Sequence, residues 1–122
     1  MVRVYEYIQS GRGVISGWTL DDEPAGKLDL RIRALKKQES VKLALENKFL
    51  VGLRGHGGIL KMKINGKVAL RPLACRGPVN KDEEITFLGP AIEKDDALDE
   101  EDIKRAERRR DDPNLAANRR EL

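Results

Sequence analysis

Lys61, Lys63 and Arg71 alternate with apolar residues along two short segments, so that a β-strand would turn all three toward one face. Cations spaced along a face rather than at strand ends suit an extended polyanion, and the foremost large polyanion in a cell is nucleic acid. Arg54 and Arg76 flank the same stretch and Lys67 lies in its turn, while Arg31, Lys36 and Lys37 add positive charge from an upstream helical segment. His56 is the chain's one histidine, and the ordinary histidine pKa lies near neutrality, which makes it the obvious proton-transfer candidate. A histidine set within Gly55–Gly58 fits a solvated loop equally well. Those glycines form no phosphate cradle, because the Gly-Lys-Ser/Thr that completes one is missing. Cys75, the single cysteine, reads as a small core residue and can form neither an intramolecular disulfide nor a cysteine-based zinc site. Asp95 and Asp96 lack a third spaced ligand, so neither a metal nor a cofactor is expected.

The elements that must position these residues follow from periodicity. Val2, Val4, Tyr7 and Ile8 predict a first strand ended by Ser10-Gly11, with Trp18 an anchor at the entry to a helix capped by Thr19. Leu28, Ile32 and Leu35 form one helical stripe, and Ser40 with Val41, Leu43 and Leu45 allows a second short helix. Phe49, Leu50, Val51 and Leu53 carry the chain back toward the core, and residues 38–54 as a whole leave helix and strand both open. Leu60, Met62 and Ile64 then alternate with lysines up to Asn65-Gly66, a hairpin signal. A two-residue turn there would set apolar residues against polar ones. A bulged or three-residue turn that pairs Ile64 with Val68, Met62 with Leu70 and Lys61 with Arg71 keeps one coherent buried face. Ile85 and Phe87 point inward on a last strand, and Asp99–Asp102 open a terminal helix that Arg108–Arg110 close, matching the helix dipole. Residues 113–122 are expected to be disordered.

The chain of 122 residues fits one domain, with a lean core given 39% hydrophobic and 37% charged residues. No apolar run approaches the roughly 18 residues that span a bilayer, and no apolar leader opens the chain, which with one cysteine fits a reducing cytoplasm. The formal charge of +3 hides an asymmetry: residues 27–76 carry thirteen basic and three acidic side chains, whereas the segments on either side are net acidic. Such a field concentrates a polyanion and makes its binding sensitive to salt.

Between Gly52 and Arg110 the order Leu53-Arg54-Gly55, Leu60-Lys61-Met62-Lys63-Ile64, Leu70-Arg71-Pro72, Ile85-Thr86-Phe87-Leu88, Glu93-Lys94 and Asp102-Ile103-Lys104-Arg105-Ala106 resembles the RelE/HigB superfamily of toxins, in particular its phage-derived branch. The resemblance implies an α+β fold: a small antiparallel sheet with one or two N-terminal helices packed on one face and a C-terminal helix, over residues 1–112. It also implies the toxin component of a type II toxin–antitoxin system, a metal-independent, ribosome-dependent mRNA endonuclease neutralised by a cognate DNA-binding antitoxin. Cleavage of this kind needs a base for the 2′-hydroxyl, cations for the charge gathering on the phosphate oxygens, and an acid for the leaving 5′-oxygen. On this reading Arg71, Lys61, Lys63 and His56 are the catalytic candidates. Arg54, Arg76, Lys67, Arg31, Lys36 and Lys37 are the RNA-binding ones. Two other readings stay open: a non-catalytic basic module of phage origin that binds RNA, ribosome or protein, and an interaction protein that works through its acidic C-terminal helix.

Overall fold

The computed structural model describes residues 1–122 and is α+β, with helices on both faces of one mixed sheet. Strand β1 (Arg3–Gln9) lies parallel to β7 (Glu84–Gly89), with Val4 opposite Ile85 and Glu6 opposite Phe87. From β7 the sheet continues antiparallel through β6 (Leu73–Arg76), β4 (Leu60–Lys61) and β3 (Val51–Gly52). The expectation of a purely antiparallel sheet is therefore corrected. No hairpin joins β1 to β7, and a connection through helices and strands between them permits the parallel pairing.

Helix α1 (Asp22–Lys36) buries the expected stripe of Leu28, Ile32 and Leu35 against one sheet face. It starts later than Thr19, at Asp21, whose side chain makes no capping bond. Helix α2 (Val41–Glu46) is capped by the Ser40 hydroxyl, which accepts from Leu43 N at 3.1 Å. Both pack on Val4, Met62, Ile64, Ile85 and Phe87 in the larger core. On the opposite face, α3 (Glu100–Arg110) buries Ile103 and Ala106 against Leu73, Cys75 and Leu88. No helix is long and apolar enough to cross a membrane.

The central hairpin keeps a coherent face by a different register. Ile64 stands opposite Leu70 and Lys61 opposite Leu73, so residues 65–69 form the connection rather than a three-residue turn. A slip of two residues preserves which side chains point inward, whereas a slip of one would invert them. The connection leads into β5 (Ala69–Leu70), which forms a separate two-stranded ribbon with β8 (Ile92–Glu93). That ribbon closes over the face on which Arg71 was expected to lie open.

Residues 113–122 are also structured, contrary to the disorder expected of them. Leu115 is buried in the smaller core, β9 (Arg119–Glu121) pairs antiparallel with β1, and Leu122 N donates to Val4 O at 2.8 Å. The polar composition of this tail is offset by buried carboxylates waiting for it. Arg119 Nη1 reaches Glu84 Oε1 at 3.0 Å, with only 8% and 4% of the two side chains exposed, and its guanidinium lies 3.8 Å over the Tyr5 ring. Arg120 Nη2 reaches Glu6 Oε2 at 3.1 Å.

Candidate nucleic-acid interface

The basic residues singled out in the sequence are dispersed over the molecule. Arg71 is not on an open face: it is 5% exposed, and its guanidinium donates to Leu70 O at 2.8 Å, Asn65 Oδ1 at 2.9 Å and Glu93 Oε2 at 3.3 Å. With both terminal nitrogens engaged and its unpartnered Nε buried, this arginine ties the 65–69 connection to the β5–β8 ribbon and has no donor fork left for a phosphate. Lys61 is half-buried at the end of β4 and Lys63 is exposed just after it. Arg54 is exposed in the loop before β4, and His56 in the same loop faces α3, its Nδ1 3.5 Å from Glu107 Oε2. Arg76 is occupied within its own turn, donating to Lys81 O at 2.9 Å and Asp82 Oδ1 at 3.0 Å.

Lys67 is exposed in the central connection, on the wall of a cavity that also holds Asp21, Glu23 and Lys27. On α1, Arg31 stacks over Phe49 at 4.2 Å, Lys36 Nζ donates to Leu122 O at 2.8 Å, and Lys37 is the exposed C-cap. Arg71 and His56 are thus held by different partners in different parts of the fold. Burial pushes the Cys75 thiol up to about 11, which removes it as a nucleophile at neutral pH.

A different basic cluster is assembled between α3 and the hairpin of β1 with β2 (Arg12–Gly13). With Ile103 and Ala106 turned inward, Arg105, Arg108 and Arg109 fall at i, i+3 and i+4 on the flank of α3 that faces β1. Arg12 comes from the opposite wall. Its neighbour Gly13 is buried against the Glu6 carboxylate, where any side chain would collide with that carboxylate. Glu6 in turn accepts from Ile15 N at 2.9 Å, Ser16 N at 2.8 Å and Ser16 Oγ at 2.8 Å, which fixes the chain after β2.

Acidic partners are few in this groove. Arg105 pairs with Asp102 at 3.0 Å, while Arg12 and Arg108 make neither an ion pair nor a side-chain hydrogen bond. Arg109 donates to Leu88 O at 2.7 Å and lies 5.2 Å over the Tyr7 ring, with no carboxylate. Burial, and after it the charge of Arg105, lowers the Arg109 pKa. Tyr7 is raised by burial and then by its bond to Asp112 at 3.2 Å, so the phenol stays protonated. Two adjoining cavities of about 590 Å³ and 420 Å³ share Gln9, Arg105 and Arg109; the first adds Tyr7 and Arg108, the second Arg12 and Trp18. Asp111 and Asp112 edge the first, but Asp111 is paired with Arg110 and Asp112 accepts from Tyr7 and Asn118.

The signal for this groove was present in the spacing of Arg105, Arg108 and Arg109 relative to Ile103 and Ala106. A net acidic C-terminal segment and the match of those arginines to the helix dipole concealed it. No three His, Cys, Asp or Glu side chains converge to hold a metal ion. What the groove offers is positive charge, two aromatic walls and an extended shape, the ingredients of a single-strand nucleic-acid site. Comparison with protein-family models, with curated proteins and with solved structures found no match to this chain.

Proposed function

We propose that the protein binds RNA in the groove between α3 and the β1–β2 hairpin, and that it acts as a RelE/HigB-type toxin, a ribosome-dependent mRNA endonuclease held in check by a cognate antitoxin. The observation that carries the binding is the presence of Arg12, Arg108 and Arg109 in one groove with no carboxylate paired to any of them. Unneutralised guanidiniums release condensed counterions when they meet phosphates, which favours a polyanion. The resemblance of residues 52–110 supports messenger RNA as the polyanion. In cleavage, the 2′-hydroxyl gives its proton to solvent and its oxygen bonds to the adjacent phosphorus, the P–O5′ bond breaks, the 5′-oxygen takes a proton from solvent, and a 2′,3′-cyclic phosphate results, with the arginines stabilising the charge on the non-bridging oxygens.

A second reading rests on one specific observation. The only histidine lies in the loop before β4 against Glu107, Tyr7 is held protonated, and the edge carboxylates Asp111 and Asp112 are held below the usual carboxylate range by hydrogen bonds from Arg110 and from Asn114 N, which makes them weak bases for the 2′-hydroxyl proton at neutral pH. That favours a non-catalytic basic module that docks on RNA or the ribosome. Induced expression without an antitoxin separates the two. The toxin reading expects growth arrest with new message 5′-ends, relieved by Arg109→Ala. Undisturbed growth with RNA binding retained leaves the module, and absence of RNA binding removes both.

A further inference from the structure

Next to the arginine groove lies an apolar cavity of about 500 Å³, which falls within the roughly 300–1,000 Å³ of small-ligand sites. Its lining combines Trp18, Ala91, Ile92 and Leu98 with the charged side chains of Lys94, Asp99 and Asp102. Trp18 and Pro90 also line the arginine groove, so the two spaces share a wall. The outer edge of the cavity is the hairpin at Lys94–Ala97, where Asp95 and Asp96 both take left-handed backbone (φ 51° and 61°) and Lys94 and Ala97 exchange hydrogen bonds at 2.9 and 3.0 Å.

The two carboxylates are each half used. Asp99 Oδ1 accepts from Glu101 N at 2.9 Å as the α3 N-cap, and Asp102 Oδ1 accepts from Arg105 at 3.0 Å. The second oxygen of each has no hydrogen-bond partner. An aromatic side chain, apolar residues, carboxylate acceptors, Lys94 and the arginines next door suit a planar group that carries N–H donors and is joined to a phosphate.

We infer that this cavity seats one unpaired base of the bound RNA, stacked on Trp18, and that its carboxylates favour guanine. Guanine presents adjacent N1–H and N2–H₂ donors on its Watson–Crick edge, matching carboxylate acceptors. The inference rests on the proposed RNA-binding groove and deepens it by naming the base and its position.

Trp18 is the only tryptophan, so its fluorescence reports the seat in the unaltered protein. The probes are uridine hexamers carrying at the centre guanosine, inosine (which lacks the N2 amine) or an abasic sugar. Guanosine should quench Trp18 and bind about tenfold more tightly than the abasic hexamer, with inosine between, as loss of one stacked base implies. Equal binding of all three hexamers with unchanged fluorescence overturns the seat and leaves the groove standing. No binding of any hexamer overturns the groove as well. Quenching by a glutamate-leucine peptide but by no hexamer overturns the base seat in favour of protein docking.

Discussion

Two sets of arginines near the C-terminus look alike in sequence and behave oppositely in the fold. Arg119 and Arg120, on β9, each meet a carboxylate on the sheet: Glu84 for the first, Glu6 for the second. Arg108 and Arg109, on α3, meet none, and together with Arg12 they line a groove. The difference lies in what stands opposite each set. β9 lies beside β1, and both Glu6 there and Glu84 on the adjoining β7 are already desolvated, so its cations close the fold. The α3 flank faces the end of β1, where Tyr7 and Gln9 leave the positive charge for a ligand. A count of basic residues does not distinguish these two uses.

The largest expected effect comes from breaking the closed set. Arg119→Ala leaves Glu84 buried without its partner and should cost about 3–5 kcal/mol, read as a lower urea midpoint. Destabilisation below about 1 kcal/mol would mean that β9 is merely draped on β1.

Acid should act on the same set. Burial by itself would raise Glu6, but hydrogen bonds from Ser16, Ile15 and Arg120 outweigh it and hold the carboxyl below its usual range. For Glu84, burial is likewise outweighed, chiefly by Arg119. Both folded pKa values lie below the unfolded ones, so their stabilisation is complete above the ordinary carboxylate value of 4.5 and is lost as pH falls through the depressed folded values. The urea midpoint should therefore fall steadily below about pH 4.5 in the wild type and less steeply in Arg119→Ala.

The open set should respond in the opposite sense. Arg12→Ala and Arg108→Ala remove side chains that make neither an ion pair nor a side-chain hydrogen bond, and each should change stability by no more than about 0.5 kcal/mol. Loss of a full 2 kcal/mol or more would place these residues among the structural arginines after all. The smallest effect is expected from Lys61→Ala with Lys63→Ala, which lie outside the groove and should leave the salt dependence of RNA binding unchanged.

Much of the fold was legible because it rests on periodicity. The α1 stripe, the Ser40 cap, the inward Ile85 and Phe87 and the helical turn around Ile103 and Ala106 all follow from local spacing. The β1–β7 pairing was hidden because parallel neighbours far apart in sequence leave no local turn signal. The tail was hidden because Arg119 and Arg120 read as solvated until Glu84 and Glu6 are placed beside them. For the site, alternation set Leu60, Met62, Ile64 and Leu70 inward, as the fold has them, but it also set Val68 inward and Arg71 outward, and the fold exposes the first and buries the second. It could not show that β8 would cross over Arg71, since that contact joins residues 71 and 93. The groove needed the same long-range knowledge, because Arg12 and Arg109 come from opposite ends of the chain.

The central claim is that the unpaired arginines of the α3 groove hold RNA. It is tested most directly by the salt dependence of single-stranded RNA binding in the wild type and in the Arg12→Ala/Arg108→Ala double variant. If each arginine neutralises one phosphate, the slope of log K against log salt should fall in magnitude by about 1.4, with the fold intact. An unchanged slope in that variant, together with a reduced slope in Lys61→Ala/Lys63→Ala, would contradict the account and return the binding face to the central hairpin.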